Sequence, residues 1–256
     1  MGAETPVIPL QQAADLLRSA SRPTAMTGAG ISTPSGIPDF RSPGSGLWEQ
    51  VDPMEVASLT AFRYHPEAFF AWIRPLAERI LQAEPNAAHR ALARLEAAGR
   101  LAGLVTQNID GLHRRAGSRE VYGIHGHLRE AVCVACCRRT PTDGLLTPFA
   151  RTGALPRCQA CGGILKPDVV LFGEQLPQQV VQGAQALLAS SDLLLIAGSS
   201  LEVTPAALFP QRALEAGARL IIVNREPTYL DVRADVVFRQ DVIDVLPALA
   251  DEVLRG

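Results

Sequence analysis

Two pairs of cysteines have the spacing of a metal site. Cys133 and Cys136 are followed, after 21 intervening residues, by Cys158 and Cys161. Each C-x-x-C pair lets a tight turn present two thiolates to one ion, and two pairs complete a tetrahedron. We therefore predict one structural zinc ion, because four thiolates leave no position for a reacting water. Cys137 repeats the pattern beside Cys136 and receives no ligand role.

A second chemical pattern, over residues 27–41, begins like a dinucleotide-binding turn and then departs from it. Gly28 and Gly30 occupy the first two places of G-x-G-x-x-G, where glycine permits a tight turn close to a pyrophosphate. Thr33 stands in the third place, and two prolines and a glycine follow within five residues. These breakers predict a loop folded over the site. Its aromatic and arginine side chains suggest a protein that shields or breaks the dinucleotide.

Polar side chains also follow three other apolar runs. Gln107, Asn108 and Asp110 could hold a carboxamide and a ribose in fixed orientation. The turn at residues 198–200 offers backbone N–H groups and hydroxyls that suit a phosphate, although glycine-serine turns are common. Asn224 could bind ribose hydroxyls or could simply cap a turn.

One histidine stands out as a candidate general base. His125 lies close to glycines on both sides, which allows a close approach to a ligand, and the ordinary pKa of histidine is near neutrality. His65, His89 and His127 are interpreted as surface or core residues, and His113 is left open. The sequence has no G-x-S-x-G elbow, and the spaced thiols are engaged by the metal.

The elements that must position these groups alternate along the chain. Short apolar runs at 23–26, 101–106, 192–197 and 219–223 suit strands that are covered on both faces. Helical patterns at 87–99, 177–190 and 205–217 lie between or after them. This alternation predicts a doubly wound parallel α/β sheet, in which ligands bind at the carboxyl ends of the strands. The polar residues that follow the runs should therefore converge on one crevice.

Three parts make up the predicted organisation. Residues 1–41, 85–129 and 164–256 form a discontinuous Rossmann-like domain. Residues 42–84, rich in aromatics, form a cofactor loop and a helical insertion, and residues 130–163 form a zinc-ribbon module.

Composition excludes several classes of protein. The formal net charge of −2 gives no basis for a nucleic-acid or membrane surface, and no apolar run reaches the length of a membrane span. Five clustered cysteines without a secretory signal argue against disulfides. We expect a cytoplasmic protein. Lys166 is the one lysine. This reflects a G- and C-rich genome, which is the simpler explanation, or else thermostability or avoidance of self-modification.

Together the motifs resemble those of the sirtuins, which are NAD-dependent protein lysine deacylases. The matching blocks are GAGIS-x-x-SGIPDFR from Gly28, TQNIDGLH from Thr106, IHG from Ile124, the two C-x-x-C pairs, KPDVVLFGE from Lys166, GSSL from Gly198 and IVN from Ile222. They follow the family's order and cover about residues 10–250. The resemblance implies a Rossmann-like fold, NAD as co-substrate, one structural zinc, acetyl-lysine proteins as substrates, and O-acetyl-ADP-ribose as product.

The resemblance also implies roles for individual residues. His125 matches the catalytic base, and Asn108 and Asp110 match the residues that organise the ribose and the nicotinamide. The implied cofactor-binding positions are Gly28, Ala29, Gly30, Thr33, Phe40, Arg41, Gln107, Asn108, Ile109, Asp110, Gly198, Ser199, Ser200, Asn224, Arg225 and Val242. The implied substrate-binding positions are Val169, Val170 and Phe172.

Two positions in the aromatic-rich insertion bear on the acyl group that the protein would remove. The branch of the family that removes acidic acyl groups carries a Tyr-x-x-Arg pair, and the matching positions here are Ile73 and Leu76. We therefore expect an apolar acyl preference, with acetyl first, and a monomer as the default. The alternatives are an NAD-dependent oxidoreductase, disfavoured by the missing third glycine, and a module that senses NAD or transfers ADP-ribose.

Overall fold

A six-stranded parallel sheet forms the centre of the protein. The computed structural model of the chain describes residues 7–40, 46–49 and 51–255. All neighbouring strands of this sheet run parallel. In spatial order they are β3 Val121–Gly123, β2 Leu104–Thr106, β1 Pro23–Thr27, β7 Leu193–Ala197, β8 Arg219–Val223 and β9 Val236–Phe238. The four apolar runs of the sequence lie on β1, β2, β7 and β8, which confirms the predicted α/β sheet.

Helices cover both faces of this sheet. They are α1 Val7–Ser19, α5 Ala87–Ala97 and α10 Val242–Arg255 on one face, and α8 Gln178–Ala189 and α9 Phe209–Glu215 on the other. Leu195 belongs to the core under the first set, whereas its neighbours Leu194 and Ile196 belong to the core under the second. All three are fully buried. Burial on both faces is why these strands read as continuous apolar runs instead of alternating ones.

The order of the strands reverses between β1 and β7. From β1 the chain proceeds outward through β2 to β3, and it later returns to β7 beside β1 before continuing to β8 and β9. In an open parallel sheet, the crevice at such a reversal, outside the carboxyl ends of the strands, is where ligands bind. The carboxyl ends of β1 and β7 carry the loops at residues 28–30 and 198–200.

An aromatic helical layer follows β1 in sequence. It contains α2 Pro53–Val56, α3 Leu59–Tyr64 and α4 Pro66–Gln82. Phe62, Phe69 and Phe70 form a buried core whose neighbouring rings lie 5.1–5.9 Å apart. The same core contains Val169 and Leu171, so this layer packs against the second, smaller sheet.

The smaller sheet has three antiparallel strands and carries the cysteines. Its strands are β4 Gly126–Cys133, β5 Arg139–Pro141 and β6 Leu165–Val169, in the order β5, β4, β6. There are also two short helices, α6 Leu112–Arg115 and α7 Leu146–Thr152. Among the described residues, no helix combines the length and the apolar character that crossing a membrane requires.

Candidate active site

A cavity of about 1000 Å³ opens at the reversal of strand order. The predicted site residues that line it are Gly28, Ala29, Gly30, Thr33, Phe40, Gln107, Asn108, Ile109, Asp110, His125, Val169, Val170, Phe172, Gly198, Ser199, Ser200, Asn224, Arg225 and Val242. Arg41, the remaining cofactor position, lies outside the described residues. The polar residues after β1, β2, β7 and β8 thus meet in one place, as expected for the carboxyl ends of parallel strands.

The two glycine loops touch each other at the base of the cavity. The N–H of Gly30 donates to the Gly198 carbonyl at 2.9 Å. A Cβ on Gly28 would lie 2.8 Å from the Gly198 carbonyl oxygen and 2.9 Å from Cβ of Ser199. Gly28 has an ordinary extended backbone, with φ −128°. Glycine is therefore needed there because the second loop packs directly on it, and not because of an unusual φ.

Gln107 joins the second loop to the candidate base. Its Nε2 donates to Oγ of Ser199 at 2.8 Å, and its carbonyl oxygen lies 3.0 Å from Nδ1 of His125. A carbonyl can only accept, so Nδ1 of His125 carries a hydrogen and Nε2 is the nitrogen that can take up a proton. The N–H of Val170 donates to the His125 carbonyl at 2.9 Å, which fixes the backbone of the histidine as well.

Asn108, Ser32 and Asp110 form a hydrogen-bonded network beside the loops. Nδ2 of Asn108 donates to Oγ of Ser32 at 3.0 Å, and that hydroxyl donates to Oδ2 of Asp110 at 2.7 Å. The other carboxylate oxygen accepts from the N–H of Leu112 at 2.8 Å. Burial raises the pKa of Asp110, and the Leu112 and Ser32 donors only partly oppose that rise.

Two buried histidines lie next to this network. The rings of His89 and His113 lie 4.9 Å apart. Nδ1 of His89 accepts from the N–H of Asn86 at 3.3 Å, and Nε2 of His113 lies 2.9 Å from Oγ1 of Thr27. Burial lowers the pKa of His89 to about 4 and lowers that of His113 well below its ordinary value. Both are therefore neutral core residues, and their hydrogen bonds hold Asn86 and Thr27 in place beside the site.

Aromatic rings from three segments form one wall of the cavity. Phe40 stacks on Trp48 at 5.1 Å, and Trp48 stacks on Trp72 of α4 at 5.0 Å. Phe172 meets Trp48 edge to face at 6.1 Å. Such a stack excludes water from the space beside it. Ile73 and Leu76, on the same helix as Trp72, also line the cavity.

The far end of the cavity is polar. Asn224 is nearly buried, and its Nδ2 donates to the Glu226 carbonyl at 2.8 Å. The residue therefore holds a turn, as one interpretation of the sequence expected, and it also lines the cavity, while its binding of a ribose stays a prediction. Arg225 forms an ion pair with Asp241, which immediately precedes α10 and its first residue, Val242.

The four spaced cysteines form a cluster away from this cavity. Their sulfurs lie within 4.8 Å of one another, with 3.5 Å between Cys133 and Cys161 and 3.8 Å between Cys136 and Cys158. Zn–S bonds of about 2.3 Å in a tetrahedron require about 3.8 Å between sulfurs, so the cluster fits one zinc ion. Cys137, with φ +58°, is not a member.

The electrostatics of the cluster also call for a cation. The backbone N–H of Cys136 makes the largest contribution to lowering the pKa of Cys133 to about 6. The N–H of Gly163 lowers the pKa of Cys161, but the neighbouring sulfurs outweigh it and raise that pKa to about 12. Thiolates this close repel one another, which raises the pKa of Cys161, and a divalent ion at their centre would remove that repulsion and let all four sulfurs bind as thiolates.

Comparison with known proteins identifies the family. The model of the Sir2 family matches residues 28–205, which is more than half of the chain. The chain belongs to the Sir2 family.

Similar proteins align with nearly all of this chain. An NAD-dependent protein deacetylase from Sulfurisphaera tokodaii is 44% identical over 239 residues, which cover 93% of this chain and 94% of the relative. A solved structure of a Sir2 enzyme superposes with a TM-score of 0.91 at 42% identity, over 97% of this chain and 98% of the other. A Sir2 complex with a deacetylated p53 peptide and 3′-O-acetyl ADP ribose has a TM-score of 0.89 at 37% identity, over 95% and 98% of the two chains.

Several residues of this Sir2 site carry no signal of their own in the sequence. Trp48 and Trp72 are visible only as members of an aromatic-rich insertion, and nothing in their spacing relates them to Phe40. Ser32 lies inside the first motif, yet its link to Asp110 depends on how the loops after β1 and β2 meet. His113 is the last residue of the second motif, and the sequence alone leaves its role open; in the structure it is a buried residue.

Proposed function

We propose that this Sir2 protein is an NAD-dependent protein-lysine deacetylase, which transfers the acetyl group from lysine to ADP-ribose and releases nicotinamide and O-acetyl-ADP-ribose. One observation carries the proposal. The two glycine loops, the Asn108–Asp110 network, His125 and an apolar wall surround a single cavity. The deacetylase name of the Sulfurisphaera relative and the acetyl ADP ribose complex of the Sir2 neighbour support the same reaction.

NAD is a substrate in this reaction, and the residues present suit it. The N–H groups of Gly28, Gly30 and Gly198 donate to backbone carbonyls, so the N–H groups of Ser199 and Ser200, at the carboxyl end of β7, are the ones that would hold phosphates. A cavity of about 1000 Å³ has room for a dinucleotide and an acylated side chain. When bound, NAD supplies a leaving nicotinamide and the ribose carbon that takes up the acyl oxygen. Asn224, Arg225 and Val242 would hold the adenosine end.

His125 would act as the general base. Its Nε2 can take a proton from a ribose hydroxyl, while Nδ1 continues to donate to the Gln107 carbonyl. That second hydrogen bond keeps the ring in the required tautomer and stabilises the imidazolium that forms. Because Gln107 also binds Ser199, the base is held to the same framework as the phosphate loop.

Asn108 and Asp110 would orient the nicotinamide and its ribose. Asn108 is fixed by its bonds to the Gly28 carbonyl and to Ser32. Asp110 is held by Ser32 and by the N–H of Leu112, and its raised pKa reflects a buried position beside the substrate. Ile109, between them, would line the nicotinamide pocket. Groups fixed in this way lower the entropic cost of reaching the reactive geometry.

The aromatic wall would exclude water from the reacting centre. An amide oxygen is a weak nucleophile, so water must be kept from the ribose carbon once nicotinamide departs. Phe40, backed by Trp48 and Trp72, suits that role. Residues 73 and 76, which would have to be Tyr and Arg to bind an acidic acyl chain, are apolar Ile73 and Leu76 in the cavity lining. Acetyl is therefore the first acyl group we propose.

The remaining assignments concern organisation and partners. We propose that Val169, Val170 and Phe172 flank the acyl-lysine, and that Cys133, Cys136, Cys158 and Cys161 hold zinc only to stiffen the small sheet. The division into residues 1–41, 85–129 and 164–256, with the insertion at 42–84 and the zinc module at 130–163, remains our proposal. We also propose that the protein is a monomer, that it binds no nucleic acid, and that it is cytoplasmic. Sedimentation would check the first proposal, and a nucleic-acid binding assay would check the second.

The experiment mixes the zinc-loaded protein, NAD and an acetyl-lysine peptide and analyses the products by mass. We expect equimolar nicotinamide, free-lysine peptide and O-acetyl-ADP-ribose, with no change in absorbance at the wavelength of NADH. Formation of NADH would instead support an oxidoreductase. Nicotinamide and ADP-ribose without deacetylated peptide would support an ADP-ribose transferase or glycohydrolase. Binding of NAD without turnover would support a sensor.

A further inference from the structure

Lys166, the one lysine among 256 residues, is held in a mostly buried ion pair. It lies on β6, and 15% of its side chain is exposed. Its Nζ is 2.9 Å from Oε2 of Glu174, whose side chain is 23% exposed. Nζ also donates to the Val169 carbonyl at 2.7 Å. A cation placed this far from solvent has a specific structural role, because burying a charge is costly unless it is paired.

The ion pair connects two points on one wall of the cavity. We call residues 169–174 the wall segment, since all of them line the cavity. Lys166 binds the carbonyl at the start of the segment, and Glu174 stands at its end. Oε2 of Glu174 also accepts from the N–H of Leu171 at 2.8 Å. A single ammonium group therefore fixes the beginning of the segment directly, and its middle through Glu174.

Other contacts hold the outer side of the wall segment and leave one group available. The N–H of Val170 donates to the His125 carbonyl, and Phe172 exchanges backbone bonds with Ala57 and Leu59, at 2.9 Å in each case. Within the described part of the chain, no hydrogen bond reaches the Val170 carbonyl. An unpaired carbonyl on an extended segment is what an incoming peptide strand can bind.

We propose that Lys166 is a positioning residue for the substrate peptide and acts through Glu174 and the Val169 carbonyl. The proposal rests on the proposed function, because it takes the wall segment as the peptide edge. A neutral side chain at 166 would leave the Glu174 carboxylate without its cation and the Val169 carbonyl without its donor. The wall segment could then no longer hold the Val170 carbonyl in the fixed position that pairing with a peptide strand requires. The side-chain hydrogen bonds and ion pair of Lys166 and Glu174 go to each other and to residues 167–171, and not to the loops at 28–30 and 198–200, so NAD should be held as before.

Three variants test this assignment. Lys166→Met removes the charge with little change in length, Lys166→Arg keeps it, and Arg219→Met removes a cation from the Asp235 ion pair at the start of β8. Each is assayed for KM of the acetyl-lysine peptide, KM of NAD, kcat, and binding of a fluorescent acetyl-lysine peptide by anisotropy. Circular dichroism and thermal unfolding report whether each variant folds.

For Lys166→Met we expect the peptide KM and Kd to rise about tenfold to a hundredfold, the effect of losing a hydrogen bond to a charged group. The KM of NAD and kcat at saturating peptide should stay near the values of the unsubstituted protein. Lys166→Arg should restore most of the peptide affinity, and Arg219→Met should leave it unchanged. If Lys166→Met does not fold, Glu174→Gln replaces it, since Gln keeps the acceptor for Leu171 but loses the charge.

The proposal is overturned if Lys166→Met binds peptide as well as the unsubstituted protein does. It is equally overturned if the Arg variant fails as badly as the Met variant, or if the KM of NAD rises as much as that of the peptide. Absence of O-acetyl-ADP-ribose from the unsubstituted protein would count against the proposed function instead. The anisotropy measurement would still decide the role of Lys166.

Discussion

The buried histidine pair predicts a specific loss of stability in acid. The pKa of His89 falls from an ordinary value of 6.5 to about 4 in the folded protein, because burial penalises the charged ring. Nδ1 of His89 now accepts a hydrogen bond from the Asn86 N–H. Protonation would place a hydrogen on Nδ1 as well, so two hydrogens would face each other and the bond would be lost. Because the folded pKa is the lower one, the stabilisation is complete above about pH 6.5 and is lost as the pH falls toward 4.

The size of this loss follows from the two pKa values. Between pH 8 and pH 5 the unfolded histidine becomes almost fully protonated, while the folded one stays mostly neutral. Linkage then gives a loss of about 2 kcal/mol in the free energy of unfolding for His89. Burial also lowers the pKa of His113 well below its ordinary value, so His113 adds to the loss of stability in the same direction over this range.

The assay is urea unfolding of the zinc-loaded protein at pH 8 and pH 5. We compare the unsubstituted protein with His89→Gln, since Gln at this position can still accept from the Asn86 N–H as in a capping box. The matched control is His65→Gln, whose side chain is 73% exposed. The drop in stability between the two pH values should be about 2 kcal/mol smaller for His89→Gln than for the unsubstituted protein. An equal drop in both would refute the argument.

Three further predictions concern the metal, the acyl pocket and the loop contact. Cys158→Ser should lower the zinc content from about one ion per chain to near zero by atomic absorption, and retained zinc would contradict the site. Ile73→Tyr combined with Leu76→Arg should raise the succinyl-to-acetyl ratio of kcat/KM by about tenfold or more, and an unchanged ratio would contradict the pocket assignment. Gly198→Ala should lower the free energy of unfolding by about 2–5 kcal/mol, because its φ is +62° and its Cβ would lie 2.3 Å from a backbone nitrogen. Gly217→Ala, at φ +87° with open space around it, should lose only about 1–2 kcal/mol, so equal losses would contradict the contact.

Local features of the sequence were enough to predict the sheet and the metal cluster. Leu194, Leu195 and Ile196 are buried on both faces, so the strand is recognisable as an apolar run without knowledge of its neighbours. The polar residues after such runs had to meet, because parallel strands end at one edge of the sheet. The cysteine spacing likewise contains the geometry of a tetrahedral site.

Contacts between distant segments could not be predicted from the sequence. The Phe40–Trp48–Trp72 stack depends on how α4 lies across the loop after β1. The pairing of His89 with His113 depends on the packing of α5 against α6. Such contacts have no fixed spacing along the chain, and each becomes visible only when the layers are assembled.

The most direct test of the account is the turnover of His125→Ala. Nδ1 of this histidine is tied to the Gln107 carbonyl, and we assign the removal of a ribose proton to its other ring nitrogen. We predict that kcat for O-acetyl-ADP-ribose formation falls by about 10²–10⁴-fold, the usual contribution of a general base. The unfolding midpoint and the Kd of NAD should change little. Undiminished turnover in a folded His125→Ala protein would contradict the mechanism.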